Sequence, residues 1–518
     1  MKTKSNLFFL ILITIFTVPT ITGLLHPGFF VTDDGNWMVI RFSAFYEALR
    51  SGQFPVRFLY RLNNSYGYPV ADFLYPLFMY IGVFIHILKF NFVDTIKIIF
   101  GLSMLGSSIF CFLWLKKKYT NISAMIGTIA YTFFPYHLYD VYVRGSIGEV
   151  LALAILPFIF WQIERNNLVF ASLGIALLIT AHNSLALLLL PVIFIYIVLL
   201  HSQSIKKWCY SFILGFGLSA FFWVPAIYDR QYTFFDKIAV SNYSNYFITE
   251  KDVGLIGLVS VLAVLVSIVL FFRKKNILFV YFFVLSIIFT LLTQPFSKII
   301  WDIFPFTNLI QFPFRLLSIV CLAVAVLIAY QINLLKGKKL FFVSLVYVLI
   351  IFISSVNYIY PKNFQNYPDT FYSTNLDSTT VKNEYMPIWL KNIPISIASK
   401  KVKIIDGKGE ILNLVNNGNL SFTVKTDRKS QILINTIYYP GFIVRVNGSS
   451  TPIDYKQLGL IKFQVDKGEN MVAVKFTETP IRLFADFISL IFLILLLVPP
   501  ILKINNLHSN KDKLKTAF

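Results

Sequence analysis

Long apolar runs separated by short knots of lysine and arginine constrain this chain more than any other feature. Leu7–Leu25 is the first run, and others recur toward the C-terminus, broken at Lys116–Lys118, Lys206–Lys207, Arg273–Lys275 and Lys336–Lys339. A run of about 20 apolar residues crosses a hydrocarbon core of about 30 Å. Lysine and arginine collect in the loops that stay on the cytoplasmic side. Hydrophobic residues make up 57% of the chain and charged ones 14%, against about 25% charged in soluble domains. The pattern specifies a polytopic protein of the cytoplasmic membrane. The net charge of +21 resides largely in the knots and the tail, so it marks topology rather than a nucleic-acid surface.

Leu7–Leu25 is long for a signal-peptide core and lacks a convincing small-x-small cleavage site, which predicts a retained first helix. The next run, Phe73–Leu88, decides the topology. If it crosses, every later basic knot lies outside, against the charge rule. If it is re-entrant or lies along the surface, those knots and the basic tail Lys503–Lys515 all fall inside. The second arrangement is expected, with further spans near 96–115, 122–140, 147–164, 168–182, 184–201, 208–228, 253–272, 276–293, 314–335, 340–356 and 484–502. That makes about twelve spans with the first, both termini cytoplasmic. The expected fold is an all-α membrane bundle over 1–356, with a first outer loop at 26–95.

From 357 to 480 the composition turns polar. Ser421–Lys425, Gly441–Val446, Leu460–Val465 and Met471–Phe476 alternate apolar and polar residues, the period of half-buried strands. Asn417-Gly418, Asn447-Gly448 and Lys467-Gly468 punctuate them as hairpin turns. An extracytoplasmic β-sandwich preceded by an irregular linker is expected here. A last helix and a basic cytoplasmic tail fill 481–518.

With this topology the polar residues near apolar boundaries gather on the outer side. Asp33 and Asp34 open the first loop, followed by Arg41, Arg57 and Arg61. Asp140, Arg144 and Glu149 share one outer turn, His182 and Asn183 another, while Asp229 and Arg230 open a third and Gln311 and Arg315 flank a fourth. Ionisable groups at membrane depth are costly, and Arg144 and Arg315 each begin an apolar span. A cavity with carboxylates on one wall and guanidiniums on the other suits a phosphate-bearing ligand. Cys111, Cys209 and Cys321 sit within apolar runs, and no dinucleotide, Walker or metalloprotease fingerprint is present. Asp33 and Asp34 are the only adjacent carboxylates proposed as a hold for a divalent cation such as Mg²⁺ or Mn²⁺.

The order DDGNWMVIRFSAFYEALRSGQFPVRF, YGYPVADFLYPL, VRGSIGEVLALAILPF, AHNSLALLLLP, FFWVPAIYDRQY, QFPFRLLS and YYPGFIVRVNG resembles the bacterial membrane proteins called 6-pyruvoyl-tetrahydropterin synthase-related, and the neighbouring YfhO-like proteins. The pterin label implies no pterin chemistry. Both groups are similar to the GT-C class of polytopic glycosyltransferases. The resemblance implies transfer of a sugar from a polyprenyl-phosphate-linked donor to an envelope glycan, lipid or protein acceptor at the outer face. It implies a catalytic acidic residue in the first outer loop, Asp34 first and Asp33 second. Arg41 and the Gly52-x-Phe54-Pro55 turn fit the pattern that follows that aspartate in relatives. Asn36-Trp37-Met38 stands where relatives often carry histidine, so no role for that histidine transfers. Arg41, Arg57, Arg144, Glu149, His182 and Arg315 are the expected substrate- and phosphate-binding residues. Two other classes use the same features: a lipid-linked saccharide transporter or flippase, and a non-catalytic envelope assembly protein. The absence of two related halves counts against transport.

Overall fold

The computed structural model describes residues 2–238, 243–273, 276–303 and 310–515. Lys274 and Lys275 of the third basic knot lie outside the described residues.

Helix starts follow directly from the sequence around the basic knots. Asn91, Thr120, Asn167 and Asn276 each cap the helix that follows by accepting a hydrogen bond from a backbone N–H three residues on. A short polar side chain satisfies there one of the donors that a first turn leaves unpaired. Among the described residues, seven helices are long and apolar enough to cross a membrane, and nine if each of two bent pairs counts as one span. The expected span at 208–228 is one such pair, Ser202–Leu218 and Ala220–Tyr232, meeting at 66°. The spans expected at 168–182 and 253–272 are shorter helices, Leu168–Ala181 and Leu258–Phe271. That expected at 122–140 is Asn121–Thr132, broken before Pro135–Tyr139.

Leu77–Ile87, inside the run that decided the topology, has 11 residues. It is about 16 Å long, half of what a perpendicular crossing needs. Leu317–Asn333 is the central post, buried along nearly its whole length. Gly127 lets Asn121–Thr132 close on it: a Cβ there would stand 2.6 Å from the carbonyl oxygen of Ala325. Small residues at such crossings allow the backbone approach that membrane helices pack by.

Contacts sort the two ends of the bundle. At one end Lys118 Nζ lies 2.7 Å from Glu164, His201 Nε2 lies 3.0 Å from the same carboxylate, and Lys207 donates to the Asn166 carbonyl at 2.6 Å. Asn333 accepts from Thr120 N there as well. Lys118 and Lys207, from the first two basic knots, therefore meet at one end. At the other end lie Asp33, Asp34, the turn 140–146, His182, Arg315 and the C-terminal β-domain.

That domain has two antiparallel sheets. The five-stranded sheet runs in the order Gly409–Asn416, Leu420–Thr426, Gly468–Phe476, Phe442–Val446 and Ser449–Thr451; the three-stranded sheet is Val402–Asp406, Ser430–Ile437 and Leu460–Val465. Leu420, Phe422, Val424 and Thr426 point inward alternately with outward polar neighbours, as the period of two requires. Asn447 (φ 51°) and Gly448 (φ 83°) carry the tight hairpin between Val446 and Ser449. Phe58 from the first loop enters the core of this domain, packing on Phe442 at 5.1 Å and Phe476 at 5.5 Å. The linker also returns to the first loop, where Phe364–Gln365 pairs with Phe29–Phe30. The loop, the linker and the β-domain are thus packed together over the end of the bundle that carries the aspartates.

Candidate functional site

A cavity of about 490 Å³ opens between the first loop, the turns 144–146 and 182–184, Gln311–Arg315 and the linker segment 380–385. Asp34, Arg41, Arg144, His182 and Arg315 line it. These five come from four separate parts of the chain, and the fold brings all of them to one wall-to-wall space.

Asp34 is the N-cap of the helix Gly35–Arg50. Its backbone N–H donates to the Arg144 carbonyl at 2.9 Å, and that of Asp33 donates to Val143 at 3.0 Å. The first loop is therefore laced to the turn that carries Arg144. Gly145 makes this possible: it sits at φ +66°, and a Cβ would fall 2.5 Å from Thr32 Oγ1 and 2.8 Å from Gly35 N. Asp33 does not line the cavity; its side chain is exposed at the rim. Its pKa is raised above the usual carboxylate value by the protein packed around it and then by Asp34, against a lowering by Arg144.

Glu149 lies beneath the cavity, fully buried. Its Oε1 accepts from Arg144 Nη1 at 2.6 Å and from Arg315 Nε at 2.9 Å, with His182 Nε2 at 3.7 Å. Its Oε2 accepts from the Tyr136 hydroxyl at 2.8 Å. One carboxylate thus orients two guanidiniums, with the imidazole beyond hydrogen-bond reach. His182 Nδ1 accepts from the Leu185 N–H at 3.2 Å and caps that helix. The lone pair on Nδ1 is thereby engaged, so the ring proton sits on Nε2, facing Glu149.

Arg144 has a second carboxylate, Asp140, at 2.8 Å on the same Nη1, and its plane lies 5.2 Å from Phe314 and 5.6 Å from Phe312. Arg41 donates through Nε to the Thr379 hydroxyl at 2.9 Å and through Nη2 to the Thr379 carbonyl. This ties the linker to the first loop and sets the far wall of the cavity. Tyr385 completes that wall, stacked between Phe73 at 5.0 Å and Phe235 at 5.5 Å, with its N–H on Tyr68 Oη.

Arg57, expected among the phosphate-binding residues, is not brought to this cavity. It lies in a second buried cluster, 3.6 Å from Asp72, 3.3 Å from Glu478 and 3.2 Å from Asp486, and donates to the Phe221 carbonyl. Arg482 pairs there with Asp72 and Asp229. The partners of Arg57 satisfy its fork, which leaves it a structural clamp between the first loop and the last helix. Among the described residues no three His, Cys, Asp or Glu side chains are grouped to hold a metal ion. Asp34 lines the cavity and Asp33 does not, so the two carboxylates expected to hold a divalent cation do not share this space.

The linker wall at 379–385 was not singled out by the sequence for the site. It is a polar stretch without period or motif, and only the pairing of Arg41 with Thr379 reveals its place. Tyr136 is likewise silent in sequence, because its role depends on where Glu149 points.

A family model described as the 6-pyruvoyl-tetrahydropterin synthase related domain, a membrane protein family, matches residues 72–361, more than half of the 518 residues. The chain belongs to this YfhO-like family. An uncharacterized protein of Lactococcus lactis subsp. cremoris (strain MG1363) is 26% identical over 249 residues, 43% of this chain and 40% of its own. The chain thus spans less than half the length of that relative. Among solved structures, the arabinofuranosyltransferase AftD from Mycobacteria aligns with 71% of this chain and 28% of its own, at 12% identity and a TM-score of 0.48. The oligosaccharyltransferase of Archaeoglobus fulgidus aligns with 73% of this chain and 58% of its own, at 15% identity and a TM-score of 0.40. At such scores the two likenesses assign no function. The matched family region excludes both Asp34 and the linker wall, so the cavity joins the family domain to sequence on either side of it.

Proposed function

We propose that this member of the family is an inverting glycosyltransferase of the GT-C type, acting at the outer face of the cytoplasmic membrane. It moves a sugar from a polyprenyl-phosphate-linked donor to a hydroxyl of an envelope glycan, lipid or protein. One observation carries the reading: a carboxylate, Asp34, faces Arg41, Arg144 and Arg315 across a single cavity. The end of the bundle that gathers Lys118, Lys207 and His201 is cytoplasmic by the charge rule, which makes the cavity and the β-domain extracytoplasmic.

The acceptor hydroxyl attacks the anomeric carbon from the face opposite the phosphate. A new carbon–oxygen bond forms as the bond from the anomeric carbon to the phosphate oxygen breaks, and the phosphate leaves with the electron pair. Asp34 takes the hydroxyl proton, a general-base contribution of about 10² to 10⁴ in rate. A cavity guanidinium fixed in place before the reaction meets the charge that grows on the leaving phosphate, at no cost of reorganisation. His182, whose Nε2 lies 3.7 Å from Glu149 and whose Nδ1 caps the next helix, lines the cavity beside the arginines. One displacement without a covalent intermediate inverts the sugar.

The test offers labelled polyprenyl-phosphate sugars to membranes containing the protein, with host envelope glycans as acceptors, and determines the anomeric configuration of the product. Transfer with inversion is expected. Transfer with retention contradicts the mechanism, and no transfer from a broad donor panel contradicts the function.

A further inference from the structure

The three guanidiniums on the cavity are not equivalent. Arg315 is saturated by the protein: Nε and Nη2 each reach Glu149 at 2.9 Å, and Nη1 donates to the Ile310 carbonyl and lies 3.4 Å from Gln311 Oε1. Arg41 is also engaged throughout, with Nε and Nη2 on Thr379 and Nη1 at 3.6 Å from Met38 Sδ. Arg144 differs. Both its carboxylate partners, Asp140 and Glu149, sit on Nη1. Among the described residues, Nε and Nη2 of Arg144 have no protein acceptor. The residue is 4% exposed and lines the cavity.

An arginine held on one nitrogen by two carboxylates and packed near the rings of Phe312 and Phe314 keeps a fixed plane. Its remaining edge, Nε–H and Nη2–H, is the pair of parallel donors that meets two oxygens of one phosphate group. We infer that Arg144 is the one anion fork of the cavity, taking a single phosphate group, while Arg315 and Arg41 are positioning residues. Arg315 acts through Glu149, which it shares with Arg144. Arg41 acts through Thr379, which sets the opposing wall. This rests on the transferase reading only for the source of the phosphate, the headgroup of a lipid donor. The fork itself requires no reaction.

The experiment uses the full chain in nanodiscs and measures binding of a long-chain polyprenyl monophosphate, with inorganic phosphate as a second probe. Trp37 lines the cavity, so a change in its fluorescence, identified by comparison with Trp37→Phe, reports occupancy. Arg144→Lys keeps the charge and removes the fork, and is expected to weaken polyprenyl monophosphate binding at least about tenfold. Arg315→Lys keeps a cation beside Glu149 and is expected to hold the lipid within about threefold while lowering kcat for sugar transfer. Arg428→Gln on the exposed face of the β-domain, far from the fork, is the control for both. Equal lipid affinity in Arg144→Lys and wild type overturns the fork. A tenfold loss in Arg315→Lys equal to that in Arg144→Lys overturns the division between fork and positioning residue. Where Arg144→Lys fails to fold, wild-type competition decides: tighter binding of the polyprenyl diphosphate than of the monophosphate overturns a one-phosphate site. Binding that depends on Arg144 for inorganic phosphate but is absent for the lipid keeps the fork and removes the lipid donor. Lipid binding through Arg144 without sugar transfer keeps the fork and removes the transferase.

Discussion

Removing the Glu149 charge is the perturbation whose cost can be worked most fully from the structure. The side chain is fully buried and within hydrogen-bond reach of Arg144, Arg315 and Tyr136. Taking one partner out of a buried ion pair costs about 3–5 kcal/mol, because the remaining charge is left without compensation. In Glu149→Gln, Arg144 retains Asp140 at 2.8 Å, but Arg315 loses the one carboxylate it has among the described residues. The expected loss is therefore about 3 kcal/mol, the lower part of that range. Arg315→Leu reverses the imbalance and leaves Glu149 with Arg144 as its one guanidinium among the described residues, beside the Tyr136 hydroxyl. In the double variant neither charge remains, so its loss falls below the sum of the singles by about 2 kcal/mol. Thermal unfolding of the purified protein in detergent, followed by intrinsic fluorescence, gives the ranking. A double variant whose loss equals the sum of the two single losses refutes the claim that Glu149 and Arg315 act as one unit.

Other expectations follow from the same contacts. Gly145→Ala forces a Cβ against Thr32 and Gly35 in a left-handed backbone, so it should lower sugar transfer by displacing Asp34 from Arg144, with donor affinity the smaller change; unchanged kcat rules this out. Arg482→Leu leaves Asp72 and Asp229 buried without their shared cation, at a cost of about 3–5 kcal/mol, and hydrogen exchange should rise first where the β-domain meets the last helix; an exchange map identical to wild type contradicts this. Burial lowers the Lys401 pKa from 10.5 to about 8, and its Nζ donates to the Ser65 and Asn435 carbonyls. The unfolded chain then holds more protons than the folded one between those two values, so stability should rise with pH across that window and be flat below it. Lys401→Met should abolish the rise, and a variant with the same pH slope as wild type contradicts the assignment.

Local patterns carried much of the architecture because each depends on a short range of sequence. Apolar runs and basic knots gave the order of helices, and the shortness expected of Phe73–Leu88 is that of the helix Leu77–Ile87. Alternation in Ser421–Lys425 and Met471–Phe476 marked strands that pair as neighbours. Asp34, Arg144, His182 and Arg315 stood out as ionisable groups at apolar boundaries, and all four reach one cavity. What failed to show depends on distant partners. Arg57 has the same sequence character as Arg41, yet besides Asp72 its carboxylates are Glu478 and Asp486, at the other end of the chain. The saturation of Arg315 and the open edge of Arg144 are differences of a few ångströms that no spacing encodes. The boundary at His182 was legible, since the spans expected at 168–182 and 184–201 are the helices Leu168–Ala181 and Asn183–Leu200, but the break before Pro135–Tyr139 inside 122–140 was not.

The central claim is that Asp34 accepts the proton of the attacking hydroxyl. Sugar transfer by the reconstituted protein, compared between wild type, Asp34→Asn and Asp33→Asn under saturating donor, tests it most directly. The account predicts a fall in kcat of about a hundredfold or more for Asp34→Asn, with donor affinity retained, and a much smaller change for the rim residue Asp33. Full turnover by Asp34→Asn would contradict it.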